Sequence, residues 1–457
     1  LAMRKKPLVG TQGGVWTLRS DGAVLTPTDI AADFEVTGGV AKIPPIEVRS
    51  RLLYVNDSLR RLEEFADVIQ ETGVQGFDSF DLTLLNDRVL KEGAVQIAFQ
   101  TEPDSVIYIP RGDGQISTLT FQPEQKVIGW ARQIHGGTFQ GGDAVIESIA
   151  CIPGNDGSGQ FKDSTGRHEV WAAVKMVING STVRYIECME KIFNGAEDLQ
   201  EDAFYVDSGL TLDNPKTITA ITRANPGVVT SASHGFSNGD LVRIVRVKGM
   251  TEVNNLTFKV AGVTTNTFNL TDADDANVNT TSHTAYITGG EVREKVTSIS
   301  GLTHLEGATV KVFADGAVQT DKTVSSGAIT LDSAASQVHV GLGYEARFKS
   351  LKLAFGAEAG SPVGQPKNIN DVILVLMEAA EGSLSIATED QDGEGAFTAL
   401  DLRAATDIDG DPVPFFTGEK ELGVAAAYDV DVRLVIKGES PTPATVLGVS
   451  PELEVTG

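Results

Sequence analysis

Between Ser105 and Glu190 the chain repeats one pattern: a short apolar, β-branched or aromatic run, then a glycine-containing turn, then another such run. Two of these pieces read as complete hairpins. One joins Val106–Ile109 to Ile116–Phe121 around Gly112–Gly114, and the other joins Val170–Ile178 to Thr182–Glu187 around Asn179–Gly180. An Asn-Gly pair between alternating strands is a strong hairpin signal, because both central residues of the tight turn must accept positive φ. The stretch holds no nucleophile motif, metal cluster or phosphate loop, so its chemistry is backbone pairing. That constrains the chain to antiparallel sheet.

The same units recur upstream. Gly13–Leu18 turns at Ser20–Gly22 into Ala23–Thr26, and Arg51–Val55 turns at Asn56–Ser58 into Leu59–Phe65. Recurrence of strand, short turn and returning strand is what propeller blades leave in a sequence. One helix is expected to interrupt them, over Ser79–Gly93, with Leu82, Leu85 and Val89 on its packed face and Gly93 as its stop. The reading is therefore a mainly β protein in three regions. Residues 1–215 form a propeller-like region and 216–292 an inserted small β-barrel. Residues 293–457 form a β-sandwich-like continuation. In the middle region short strands alternate with Asn-Gly, Lys-Gly and Asn-Asn turns at the rhythm of about 8–12 residues found in small all-β modules. In the last region Ala308–Phe313 and Ala317–Val324 flank an Asp315-Gly316 turn, and Gly327–Leu331 follows. Val372–Met377 reads as a strand buried on both faces, and Tyr428–Ile436 alternates with Val430, Val432, Leu434 and Ile436 on one side.

Composition sets the limits on function. The 457 residues carry a formal charge of −25, and 48 of them are glycine, which fits a turn-rich fold. An acidic surface repels phosphate and argues against a basic groove gripping nucleic acid; it does not exclude a wall along which DNA slides, and for most of these charges solubility is the plainer account. No apolar run reaches the roughly 18 residues that a membrane-spanning helix needs. Cys151 and Cys188 lie in apolar strand-like runs and read as reduced, structural thiols. Those runs can lie on adjacent strands, which leaves a bridge open. The chain opens at Leu1 rather than Met, and L-A-M-R-K-K lacks the apolar core of a signal peptide. Leu1 is thus expected to be internal to a longer or processed product.

Reactive constellations are sought and not found. His135, His168, His234, His283, His304 and His339 form no metal-binding spacing with each other or with cysteine. Phosphate-cradling glycine loops and the nucleophile elbow are missing from the sequence. Asp407–Asp411, Asp390–Glu394 and Asp272–Asp275 have alternating oxygens but fail the calcium-loop template, and read as solvated turns. Arg111-Gly-Asp113 sits at a hairpin tip, where turn chemistry accounts for it. No catalytic, cofactor-binding or metal residue is assigned, and no enzyme activity is expected.

The runs V-G-T-Q-G-G-V-W-T-L (9–18), L-T-P-T-D-I (25–30), I-P-P-I-E-V-R-S-R-L-L-Y-V (43–55) and F-D-S-F-D-L-T-L-L (77–85), with the stretch from Phe99 to Glu190, resemble tail hub or nozzle proteins of short-tailed bacteriophages. The resemblance resumes after the middle region at I-S-G-L-T-H-L-E-G-A-T-V-K-V-F-A-D-G (299–316), V-G-L-G-Y (340–344), F-F-T-G-E (415–419) and the closing V-L-G-V-S-P-E-L-E-V-T-G. It implies a homohexameric ring in the virion tail, assembled in the host cytoplasm. Such a ring would dock against a portal-proximal adaptor ring and against tail fibres, spikes or needle. It would retain packaged genomic DNA and conduct it at ejection, without sequence-specific contacts.

The middle region is similar to the FCCH β-barrel of ubiquitin-activating enzymes, through N-P-G-V-V-T-S-A-S-H-G-F-S-N-G-D-L-V (225–242) and G-M-T-E-V-N-N-L-T-F-K-V (249–260). That similarity implies the fold of the barrel and not the chemistry of the enzyme. A binding module recognising host glycan or another tail protein is the alternative function. A tail-borne glycan hydrolase ranks third, with no residue pair to carry it.

Overall fold

The structure is a computed structural model that describes residues 2–3, 7–20, 26, 29–49, 51–69, 75–154, 166–353, 364–390, 393–404, 412–424 and 428–455. Among these the protein is almost entirely β-strand, with four single-turn 3-10 segments and no α-helix. It divides into two compact units, Leu1–Lys191 and Ile192–Gly457.

The first unit is a series of antiparallel meanders in chain order. β1 (Ala2–Met3), β2 (Pro7–Thr11), β3 (Gly14–Arg19) and β4 (Ala31–Thr37) make the first sheet. β5 (Ile46–Val48), β6 (Arg51–Val55), β7 (Leu62–Ile69) and β8 (Gln75–Asp81) make the second. The third consists of β9 (Ala98–Gln100), β10 (Val106–Pro110), β11 (Ile116–Gln122) and β12 (Val127–Gln133). A two-stranded ribbon, β13 (Thr138–Phe139) and β14 (Gly142–Asp143), precedes the fourth sheet, β15 (Val145–Ile152), β16 (Glu169–Ile178) and β17 (Ser181–Cys188). Sequential four-stranded meanders are the blade topology of propellers.

Side-chain alternation stacks these sheets. On β6, Leu52 and Tyr54 join a core with Leu8 and Val15 of the first sheet, while Leu53 and Val55 join one with Ile107, Leu119 and Phe121 of the third. Residues flanking the fourth sheet also make polar contacts with the far side of the third. Gln100 Nε2 donates to the His168 carbonyl at 2.9 Å, and the Tyr108 hydroxyl reaches Met189 Sδ at 3.8 Å.

In the second unit, β18 (Asp207–Asp213) precedes the barrel in the chain, yet pairs with β30 (Gln337–Leu342), which follows it. Between them run the barrel strands β19 (Lys216–Thr217), β20 (Ala220–Ile221), β21 (Val228–Thr230), β22 (Leu241–Lys248), β23 (Leu256–Ala261), β24 (Thr267–Thr271) and β25 (Thr288–Glu294). They form one seven-stranded sheet around a core that includes Val242, Ile244, Phe258, Phe268 and Val292. Then come β26 (Val296–Ser300), β27 (Thr309–Ala314), β28 (Ala317–Thr323) and β29 (Ala328–Ala335). β27 and β28 complete the sheet of β18 and β30, and β26 pairs with β29.

The remaining strands are β31 (Ala346–Lys349), β32 (Lys367–Ala379), β33 (Ser385–Asp390), β34 (Gly393–Glu394), β35 (Thr398–Ala399), β36 (Phe416–Gly423), β37 (Arg433–Gly438) and β38 (Thr445–Val455). Leu374 and Leu376 of β32 share one core with Ile386 of β33 and Leu434 of β37, so two sheets face each other as a sandwich.

Two expectations need correction. Residues 79–93 are not a helix. β8 runs to Asp81, and single turns follow, with Asn86 N–H donating to the Thr83 carbonyl and Gly93 N–H to that of Leu90. The carbonyls a helix would use internally are taken by distant donors: Trp130 Nε1 holds Leu82 O, and Arg111 Nη1 and Ser117 Oγ hold Val89 O. Leu85, assigned to the packed face, is 100% exposed. Val372–Met377 is not buried on both faces. Val372, Leu374 and Leu376 are buried, but Ile373 and Met377 are exposed, because β32 has a core on one side only. β3 pairs with β2 and β4, while most of the return strand expected at Ala23–Thr26 lies outside the described residues. Cys151 and Cys188 are thiols on β15 and β17, with β16 between them.

The hairpins form in the expected registers. Ile178 faces Ser181 across Asn179 (φ 47°) and Gly180 (φ 72°), and Ala314 faces Ala317 across Asp315 (φ 47°) and Gly316 (φ 87°). A Cβ on Gly180 would meet nothing within 4 Å, whereas one on Gly114 would lie 2.7 Å from Val145 Cα. Gly180→Ala is therefore expected to cost about 1 kcal/mol, from conformation alone. Gly114→Ala should cost at least about 2 kcal/mol more, from the clash. Urea midpoints of the two variants check this ranking, and equal midpoints would refute it.

Candidate functional site at the base of the inserted barrel

The densest polar cluster among the described residues lies where the barrel meets the body of the second unit. The barrel contributes Arg243 and Arg246 from β22, Glu291 and Arg293 from β25, and Lys295 just beyond it. The body contributes Glu201 and Asp202 from a 3-10 turn, Asp213 from the end of β18, Asp315 from the β27–β28 turn, and Gln337 from β30. Arg243 Nη2 lies 2.6 Å from Glu201 and Lys295 Nζ 3.1 Å from Asp315. Arg246 Nη2 grips both oxygens of Asp202 at 2.8 and 2.6 Å. Arg293 donates to Gln337 and, at 2.7 Å, to Glu291, whose carboxylate also takes Arg246 at 3.3 Å.

The cluster is dry. Glu201 and Arg293 are each 3% exposed. Asp315 is fixed by the Ser336 amide and hydroxyl and the Gln337 amide on its Oδ1. His339 closes the floor, with Nε2 at 2.8 Å from the Glu201 carbonyl and Nδ1 at 2.8 Å from Thr211 Oγ1. Satisfaction is incomplete: Glu201 Oε1, Arg243 Nε and Arg293 Nε lack hydrogen-bond partners, while Asp315 Oδ2 is met by Lys295.

Burial pushes the Glu201 carboxyl up, and the neighbouring arginines only partly restore it. Burial also pushes Asp202 and Asp315 up, but it is more than offset. The Arg246 hydrogen bonds and the Leu199 amide hold Asp202 low, and the Ser336 hydroxyl and Lys295 hold Asp315 low. Four cations thus face five carboxylates, and Glu201 is the one among them whose burial outweighs its pairing with arginine.

The residues weighed from the sequence have structural roles. Arg111 is 5% exposed and pairs with Asp113, Gln115 and the Val89 carbonyl, so the tripeptide is a locked turn. Asp272 Oδ1 accepts the Asp274 and Ala276 amides, and Asp275 pairs with Lys259. The Asp407–Asp411 segment lies outside the described residues. No group of three metal-ligating side chains occurs among the described residues. Among the described residues, no helix is long and apolar enough to cross a membrane.

Residues 224–296 match the family described as the ubiquitin-activating enzyme E1 FCCH domain. The chain is also similar to the ubiquitin-like modifier-activating enzyme 1 of Oryctolagus cuniculus, 34% identical over 101 residues. That similarity covers 21% of this chain and 9% of the relative. The strands β21–β25 thus lie within the FCCH-like match, which begins eight residues after the expected start of the insertion, at 216.

The cluster predicts opposite signs for two neutralisations. Glu201→Gln is expected to leave stability unchanged or raise it by up to about 1 kcal/mol, because burial already disfavours its charged form and, unlike Asp315, its carboxylate accepts no backbone or hydroxyl hydrogen bond to fix it. Asp315→Asn should lower it by about 3 kcal/mol, because it strips a paired carboxylate from two cations. The pH dependence follows the same signs. A raised carboxyl gains stability as pH falls through its folded value, whereas depressed ones hold theirs above the ordinary 3.8 and lose it below. Unfolding midpoints from about pH 7 to about pH 3 should therefore fall steeply only below about pH 4, apart from the other carboxylates of the chain. Asp315→Asn should flatten that fall, and a midpoint loss in Glu201→Gln larger than in Asp315→Asn would refute the assignment.

Proposed function

We propose that the chain is a structural subunit of a short-tailed bacteriophage tail. Its copies would build a ring-shaped hub or nozzle that retains packaged DNA and conducts it at ejection. The observation that carries this reading is the uncovered face of the fourth sheet. The second sheet buries both its faces. By contrast Trp171 and Ala173 of β16 share a face with Ile186 and Cys188 of β17, where Ile186 is 71% exposed. Ile152 of β15 is 42% exposed. Unpartnered apolar faces on soluble chains mark contact surfaces.

Charge on this face suits contact between copies of an acidic chain. A bulge between Ile146 and Ser148 brings Glu147 against Lys175 at 3.0 Å and Arg184 at 2.7 Å, while Glu169 accepts Trp171 Nε1. The face is locally balanced on a chain of net charge −25. The remaining acidity suits a lumen past which phosphate slides. Resemblance to tail hub proteins on both sides of the barrel agrees with β18 and β30 pairing across it.

The second reading is that the barrel is a recognition arm for host glycan or another tail protein, favoured by its self-contained core. The two readings separate experimentally. Purified protein is expected to form closed rings by electron microscopy, and Ile186→Lys should weaken assembly by about tenfold or more in sedimentation. A chain that stays monomeric at every concentration refutes the ring. Deleting Lys216–Val292 should leave assembly intact, and a selective loss of host adsorption would favour the arm.

A further inference from the structure

The charges at the base of the barrel are sorted by side. Arg243, Arg246, Arg293 and Lys295 all come from the barrel or its exit, and Glu201, Asp202, Asp213 and Asp315 all come from the body. Glu291 is the one barrel carboxylate in the set, and it braces Arg246 and Arg293 in position. We propose that this interface is a latch, which seats a self-sufficient barrel in one orientation and lets it swing as a unit when the body carboxylates are neutralised.

Three further observations support a latch over ordinary core packing. The barrel's hydrophobic cluster is drawn wholly from residues 218–292, so its core does not depend on the seat. Entry and exit lie side by side: Lys216 of β19 pairs with Val292 of β25, and each connects to the body within a few residues. Two adjacent tethers make a hinge rather than a clamp. Finally, the seat is held under strain. Arg246 has a left-handed φ of 58° between the paired residues Val245 and Val247, and its guanidinium is the group that grips Asp202. Water entering an opened seat also meets groups that it can satisfy, since Glu201 Oε1, Arg243 Nε and Arg293 Nε lack hydrogen bonds.

Hydrogen–deuterium exchange on the full chain tests this. In the Asp202→Asn/Asp315→Asn double variant, amides of the connecting residues Asn214, Lys295 and Val296 should exchange about tenfold faster or more. Amides of Val242, Ile244, Val260 and Leu270 in the barrel core should stay within about twofold of the parent. Arg246→Gln, which removes one cation from the other side, should give the same pattern with smaller amplitude. Met250→Ala, a cavity in the barrel core, supplies the contrasting pattern in which the core amides accelerate. If connectors and core accelerate together in the charge variants, the barrel does not move as a unit. If neither changes, the carboxylates do not hold it. Either result overturns the proposal.

Discussion

The alternation of side chains on β6 is the constraint from which the first unit follows. A strand exposes successive residues on opposite faces, so Leu52 and Tyr54 are committed to one neighbouring sheet and Leu53 and Val55 to the other. All four are at most 6% exposed, and each contributes roughly 1.5–3 kcal/mol by leaving water. A sheet that buries both faces must lie between two others. Repeating the rule produces a stack whose terminal sheets each have one face left over. At the fourth sheet that face holds Trp171 and Ile186, and at the first it includes Trp16 against Phe34, 46% exposed, with ring centroids 4.9 Å apart.

The second unit is governed by a different interaction. Pairing of β18 with β30 closes a sheet across the barrel, so the insertion must leave and return at nearly one point. Buried ion pairs rarely add net stability, since desolvation consumes most of their attraction. Their value here is directional: Arg246 reaching Asp202 and Arg243 reaching Glu201 fix how the barrel sits. The same burial makes Glu201 and Asp315, both carboxylates in one cluster, respond oppositely to neutralisation.

What was legible in the sequence was local. Asn179-Gly180 and Asp315-Gly316 specify their turns through backbone conformation alone, and both hairpins form in the expected register. The barrel was legible because its turns and strands follow one another closely. The segment 79–93 misled because its apolar spacing is helical, while the donors that capture Leu82 O and Val89 O lie 48, 22 and 28 residues away. The ion cluster was illegible for the same reason. Arg246 and Asp202 are 44 residues apart, and Gln337 and Asp202 are 135 apart. Charges within the barrel strands at Arg243, Arg246, Arg293 and Lys295 were the available hint, since charged side chains in a small barrel need a partner.

Cys188 supplies the most direct test of the claim that the fourth sheet's open face is where copies meet. It is exposed on that face opposite Trp171, whereas Cys151 sits on the opposite face, half-buried, with its thiol pushed up to about 12 by burial. Maleimide labelling can be followed site by site in dilute and in assembled protein. The account predicts that Cys188 labels readily when dilute and is protected upon assembly, while Cys151 stays slow in both. Rings in which Cys188 labels as fast as in the monomer would contradict it.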